Sequence, residues 1–340
     1  MSEKFSVPLN ESWSASDETL HRCVFNYEAA YAEGMEPTGR LMLNRSEHLF
    51  HILPSVEDFV RLAICDQFPS SDERDLGHGS SIDSVSELAV HRQSIDRYLN
   101  IFPSDYSFSE PVMILEECAE DLREHFFGVD SVSSEDRFNF LIEALSKRAA
   151  EIKFHKRMRA RECRSEGMFS TSKNLVDGLL YEHKKIQVVQ VDLGYSTEMS
   201  SAIGLVEAKR DFAKFLNLLR NRQVLASNLG YIWTAGYANY RGFYFRLFMF
   251  FEEDIGFGTA VLAHYLLDFW TDTVTNGKGV AFPSDDRINP ILHAATGVLA
   301  CDDNIMYCKM MDALRYLAVK EMHLSMKNRG SSRVFGHSHR

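Results

Sequence analysis

Several groups of residues in this chain have the types and spacing to act on a metal or a phosphate. In Phe243 to Phe251 (FYFRLFMFF), strand alternation puts Phe243, Phe245, Leu247, Met249 and Phe251 on one apolar face and begins the other with Tyr244 and Arg246. A buried arginine without a partner is too costly to keep, so Arg246 must reach solvent, an acid or a bound phosphate. On the preceding strand, Gly236 near the hairpin end opens space where a side chain would stand. Glu252, Glu253 and Asp254 have the donor type for a divalent cation, although three acids at a strand exit are more often solvated loop residues. His264 and Asp268 are four apart, the spacing of two ligands on one helix face, yet Tyr265, Leu266 and Phe269 around them suit helix packing better. Asp302-Asp303 reads as a turn or helix cap. No Walker loop, dinucleotide fingerprint or HExxH motif occurs. The strongest candidate for phosphate contact is the basic stretch Lys147 to Arg164, with Lys153, Lys156, Arg157, Arg159, Arg161 and Arg164; its bland alternative is a docking surface for acidic residues.

The elements that would position these groups differ between the two halves. Before residue 150 the chain reads as helices and polar loops. Ser55 and Asp58 cap a helix carrying Phe59, Leu62 and Ala63, and Pro111 opens one with Leu115, Ala119, Leu122 and Phe126 on a face. A third begins near Ser134 and buries Phe138, Leu141, Ile142, Leu145, Ala149 and Ile152, while Pro69 to Ser81 is a loop. After Lys185, Ile186 to Leu193 is a strand closed by Gly194, followed by an amphipathic helix from about Ser201 to Asn221. Tyr231 to Ala238 and Phe243 to Phe251 form a hairpin. A helix over Thr259 to Thr273, a turn at Asn276-Gly277, a strand over Gly279 to Phe282 and a helix over Ile305 to Met322 complete the order β-α-β-β-α-β-α. The fold class is α+β: an antiparallel sheet backed by helices in the C-terminal half, after a mostly helical N-terminal region.

The chain has 340 residues and is 45% hydrophobic, enough for a sizeable core, and its six cysteines form no CxxC pair, so neither a disulfide framework nor a zinc site is indicated. The N-terminus lacks the pattern of a secretory signal, and no stretch has the ~20 apolar residues of a membrane span, which predicts a soluble cytoplasmic protein with no membrane partner. The net charge of -11 is unevenly spread: residues 1–146 carry -18, 147–185 carry +6, 186–323 carry -3 and 324–340 carry +4. The division is therefore an acidic, mainly helical region at 1–146 and an α+β domain at 147–340 with a basic leading helix and a basic tail of Lys327, Arg329, Arg333 and Arg340.

The runs VDLGYSTEM, FLNLLRNR, GYIWTAGYANYRGFYFRLFMFFEED, FWTDTVTNGKGVAF, ALRYLAVKE and SSRVFG, in that order and spacing, resemble the inovirus gene-two-type replication protein family, also called the YagK/YfjJ C-terminal family. The stretch FHKRMRARECRSEGMFSTSKNLVDGLLYE is similar as well, so the resemblance covers roughly Phe154 to Gly336. It implies an HUH-type rolling-circle initiator fold, in which two histidines one residue apart and a glutamate bind Mg²⁺ or Mn²⁺. In this chain those positions hold Tyr244, Arg246 and Gly236, and none of the three suits such a cation. The family's nucleophilic tyrosine, in a Tyr-x-x-Lys helix, falls on Tyr316; the lysine position is Val319, with Lys320 one place later.

The resemblance thus implies a DNA-binding protein of phage or prophage origin, located in the host cytoplasm. It would hold single-stranded or origin DNA, with Arg246 presenting its guanidinium to a phosphate, and would need no cofactor. Two other functions remain open from sequence: an active endonuclease using Tyr316 and Lys320 with Mg²⁺ or Mn²⁺ on other ligands, and an interaction factor whose acidic N-terminal region binds a protein partner or covers its own basic patch.

Overall fold

A computed structural model of the chain describes residues 47–64, 91–99, 106–126, 132–219, 227–238, 242–283, 289–326 and 333–338. The loop at Pro69 to Ser81, the hairpin turn and the tail residues Lys327, Arg329 and Arg340 lie outside them. The N-terminal helices are α1 (Glu47–Ile64), the single turn α2 (Ile95–Tyr98), α3 (Glu110–His125) and α4 (Ser134–Ala149), with a short strand β1 (Tyr106–Phe108) before α3. α1 begins a full two turns before the cap read at Ser55 and runs through Pro54. α3 carries Pro111 in its first turn as expected, and Ser133 caps α4 by accepting from the Asp136 amide at 3.0 Å. Leu53, Val56, Phe59, Leu115, Ala119, Leu141 and Leu145 interlock as one core.

α5 (Ile152–His183) is a 32-residue helix that belongs to both halves. Phe154 near its start packs into the N-terminal core, whereas Leu175, Val176 and Leu179 pack against the sheet. Ile152, read as the end of the previous buried stripe, instead opens α5 and is 72% exposed. The sequence boundary at 146/147 falls inside the last turn of α4.

The sheet is built from β2 (Lys185–Tyr195), β3 (Asn228–Ala238), β4 (Gly242–Glu252), β5 (Gly279–Pro283), β6 (Gly297–Ala300) and β8 (Phe335–His337). Its order is β5-β2-β4-β3-β8, with β6 also on β2, and every pairing is antiparallel. β2 continues past Gly194 because β5 takes over its pairing from Val191 to Tyr195. Helices α6 (Thr197–Ser200), α7 (Leu205–Leu219), α8 (Thr259–Asp268, extended by a π-helical segment to Val274) and α9 (Pro290–Ala294) fill the connections. The last helix, α10 (Asn304–His323), leads into β7 (Leu324–Met326), which pairs with β1 and so ties the segment after α10 to the N-terminal helices.

Both sheet faces are covered. Val191, Leu193, Phe245, Leu247, Met249 and Phe251 meet Phe212 and Phe215 of α7 and Leu266 of α8. The other face presents Ile186, Val188, Ile232, Phe248 and Phe250 to α5 and α10. Each large side chain so buried contributes roughly 1.5–3 kcal/mol, so α10 is held on that face by a substantial apolar contact. No described helix is long and apolar enough to cross a membrane.

Candidate functional site

The face under α10 carries Gly236, Tyr244 and Arg246, with Tyr316 and Lys320 on α10 itself, the residues singled out by the sequence resemblance. Register aligns Asp192 of β2, Arg246 of β4 and Thr234 of β3 in one row across three strands, and sets Gly236 opposite Tyr244 in the next. Arg246 is 1% exposed and Asp192 6%. The guanidinium donates from Nε to Asp192 Oδ1 at 3.2 Å and from Nη2 to Oδ2 at 3.2 Å, a two-pronged pairing of fork to carboxylate. Gln190 adds a donor to Asp192 Oδ1 at 2.7 Å. Of the three outlets the sequence allowed Arg246, the structure selects the acid; Arg246 is not displayed to solvent or to a phosphate. Asp192, inside β2, is the other half of this pair.

Tyr244 lies across Gly236, where a β-carbon would overlap its ring. The Arg246 Cζ and the Lys320 Nζ each lie 5.5 Å from the centre of that ring, so two cations share one aromatic face system. Lys320 is 3% exposed and pairs with the Glu321 carboxylate at 3.8 Å. Tyr316, one helical turn before Lys320, is fully buried within the apolar contact of α10 with the sheet. Gly236, Tyr244, Arg246 and Lys320 therefore do converge, but as a packed interior, with Tyr316 in the adjoining core. A phenol with no exposure cannot attack a strand lying on the surface.

These residues do not fit a divalent cation. One position has no side chain, one is an arginine, one is a tyrosine wedged between cations, and the carboxylate beside them already receives a guanidinium and an amide. Among the described residues no group of three or more histidine, cysteine, aspartate or glutamate side chains could hold a metal ion. The other acidic candidates are on the surface: Glu253 is exposed and pairs with Lys185 at 3.7 Å, Asp254 is exposed, and Glu252 is half-buried. His264 and Asp268 are likewise exposed. Asp303 acts as the helix cap, its Oδ1 accepting from the Met306 amide at 3.0 Å.

The basic cluster on α5 divides in two. Lys153, Lys156, Arg159 and Arg164 are exposed. Arg157 and Arg161 turn inward: Arg157 Nε lies 2.6 Å from Glu110 Oε2, and Arg161, 7% exposed, donates to Glu110 Oε1 at 2.9 Å. For these two residues the role is docking against the acidic helices, which removes them from the phosphate-contact set. Arg148 similarly reaches Glu117 at 2.8 Å and also pairs with Asp121.

A second polar cluster, at the junction of the two halves, was not recognised from sequence. Glu57 is fully buried, accepts from the Ser109 hydroxyl and lies 2.9 Å from His323 Nδ1; the Ser109 amide donates to the His323 carbonyl at 3.0 Å. The available signal was Glu57 itself, which occupies a position of the apolar stripe Leu53, Val56, Val60 and Ile64. A carboxylate there must have buried partners. Comparison with family models, with curated proteins and with solved structures found no match.

Proposed function

We propose that this chain is a DNA-binding protein on an initiator-like α+β scaffold, and that it does not cut DNA by a metal-dependent route. The observation that carries the second part is the Asp192–Arg246 pair, with Tyr244 laid over Gly236: the volume and charge a divalent ion would need are taken by protein. Support for the first part comes from the exposed Lys153, Lys156, Arg159 and Arg164, which run over three turns of α5. Eleven residues of rise span about 16 Å, enough to follow several phosphates of a strand. The reading implies single-stranded or origin DNA as the partner, a phage or prophage setting and a place in the host cytoplasm.

Fluorescence anisotropy with a labelled single strand, repeated across salt concentrations, tests it. Reversing the four exposed cations to glutamate is expected to abolish binding at moderate salt and to flatten the log–log salt slope by about 3, at ~0.7 per cation lost. In Mg²⁺ or Mn²⁺ neither the natural chain nor Tyr316→Phe is expected to nick supercoiled or single-stranded circles. Unchanged affinity in the reversed variant defeats the DNA reading; a nick that depends on Tyr316 restores the endonuclease.

The third reading, in which the acidic region covers the chain's own basic patch, gains one specific observation: Glu110 and Glu117 hold Arg157. If that contact limits DNA access, Glu117→Gln will raise DNA affinity; an unchanged affinity leaves the contact a purely structural one.

A further inference from the structure

Where α1, α3, the start of α5 and the end of α10 meet, there is a cavity of about 320 Å³. Ile64, Pro111, Phe154, Met158 and Met322 supply its apolar walls. Glu57, Ser109 and His323 form one polar wall, and the exposed Arg61 and Glu162 stand at its rim. The size and this mixture of apolar lining with a few convergent polar groups are those of a small-molecule site, and such sites favour the contact between two folded units.

The charges select the ligand. Glu57, Glu110 and Glu162 line the space together with Arg61 and Arg161, and the buried members are engaged with one another: Glu57 with Ser109 and His323, Glu110 with Arg161. An anionic group would lie against three carboxylates, and a cation against two guanidiniums. The best occupant is uncharged. The thioethers of Met158 and Met322 and the ring of Phe154 are polarisable or flat partners for a ring face, with Pro111 adding apolar wall. Glu57, Ser109 and His323 satisfy one another, so the hydrogen-bonding edge of that ring falls to the exposed Arg61, a donor, and Glu162, an acceptor, at the rim.

We infer that the cavity receives a nucleobase, a flat, uncharged heteroaromatic ring with a hydrogen-bonding edge. The inference rests on the DNA reading for its favoured source, a base turned out of a strand that follows α5. Phe154 and Met158 on the cavity wall share the first turns of α5 with the exposed Lys153, Lys156 and Arg159, and Arg159 neighbours Glu162 at the rim by helical spacing. A free nucleoside offers the same chemistry.

The test uses the full chain with two probes: the free deoxyriboside of 2-aminopurine and a single-stranded oligonucleotide containing one 2-aminopurine, whose emission rises when the base leaves its stack. A rise on adding protein to the oligonucleotide is expected, and Met158→Trp, which fills the cavity, should weaken the response about tenfold, the size of one lost stacking contact. Ile64→Phe, a smaller filling change, serves as the second variant, and thermal melts establish that each is folded. If the free deoxyriboside responds and is blocked by the filled variants while DNA does not bind, the cavity is a nucleoside site and only the DNA reading fails. If anisotropy shows bound DNA but neither probe responds, or if both folded variants respond as the natural chain does, the inference is overturned.

Discussion

Replacing Arg246 by methionine separates a structural arginine from a phosphate-binding one. The side chain is 1% exposed and its carboxylate partner 6%, with two donor–acceptor distances of 3.2 Å. At that separation and an effective dielectric constant of about 20, the pair attraction is of order 5 kcal/mol before desolvation is subtracted. The change leaves Asp192 and its Gln190 donor facing an apolar methionine, and removal of one partner of a buried pair costs roughly 3–5 kcal/mol. At ~2.1 cal/mol/K per residue, a loss of about 4 kcal/mol lowers Tm by roughly 6 °C for a chain of this length. Asp192→Leu should cost a similar amount by stranding the guanidinium. The double variant, with both charges gone and comparable volume retained, should lie within about 1 kcal/mol of the natural chain or above it, since an apolar replacement of a buried pair is often neutral or stabilising by ~1–4 kcal/mol. Urea unfolding of the four proteins of this cycle gives the coupling directly. A loss below ~1 kcal/mol in Arg246→Met, or a double variant as weak as the sum of the singles, refutes the buried pair. DNA affinity supplies the second axis: an arginine on a phosphate would show a reduced salt slope at nearly unchanged stability, the opposite pattern.

Three other changes probe the rest of the structure. Glu110→Ala removes the buried carboxylate partner of Arg161 at the junction of the halves, leaving Arg157 its Glu117 contact, and should cost about 3 kcal/mol in chemical denaturation, whereas alanine at the exposed Glu162 should cost less than ~0.5 kcal/mol. Burial pushes the Cys118 thiol from 9.0 up to about 12, so native Cys118 should resist alkylation at pH 8 while Cys163, Cys301 and Cys308 react, as peptide mass mapping will show. The same shift sets a sign for stability: above pH 9.0 the unfolded chain gives up this proton before the folded one, so this group's contribution to stability falls as pH rises through 9.0 to about 12, visible as a loss in Cys118→Ala of part of the alkaline slope. Gly236→Ala should destabilise by roughly 1–3 kcal/mol because the new β-carbon meets the Tyr244 ring, and adding Tyr244→Ala should remove most of that extra cost; additive losses would show that the ring does not lie there.

The alternation in Phe243 to Phe251 was enough to define β4 and assign its faces, because period-two patterning is local. It was not enough to show that the second face is also interior. That follows from Phe248 and Phe250, which continue the Tyr244–Arg246 row and meet α10 some sixty residues downstream. The Asp192–Arg246 pair was invisible for the same reason: it is created by strand register between residues 54 apart. α5 escaped recognition as one helix because it changes partners midway. Its buried positions serve the N-terminal core at Phe154 and the sheet at Leu175 to Leu180, and the exposed Glu162, Cys163, Arg164, Glu166 and Gly167 between them interrupt any single stripe. The π-helical turn after α8 and the short edge strands β6 and β8 depend on long-range pairing and leave no periodic trace.

The two covered faces of the sheet determine where function can reside. A sheet with helices on one side only can keep charged ligands on its open face, hydrated and reachable by a strand of DNA. Here α10 lies over that face, so the charges of Asp192 and Arg246 beneath it must find their partners within the protein. Asp192 is tolerable only with Arg246, and Tyr244 fits only because position 236 is glycine. Changing any one of these toward a metal ligand leaves the others uncompensated, so building a metal-dependent centre here would require several concerted substitutions and displacement of Tyr316 and Lys320 from the interior. The proposed contact with nucleic acid is accordingly placed away from the sheet. Along α5, four exposed cations lie on the same helix that walls the junction cavity, so charge for a backbone and space for a base occur within a few turns of each other.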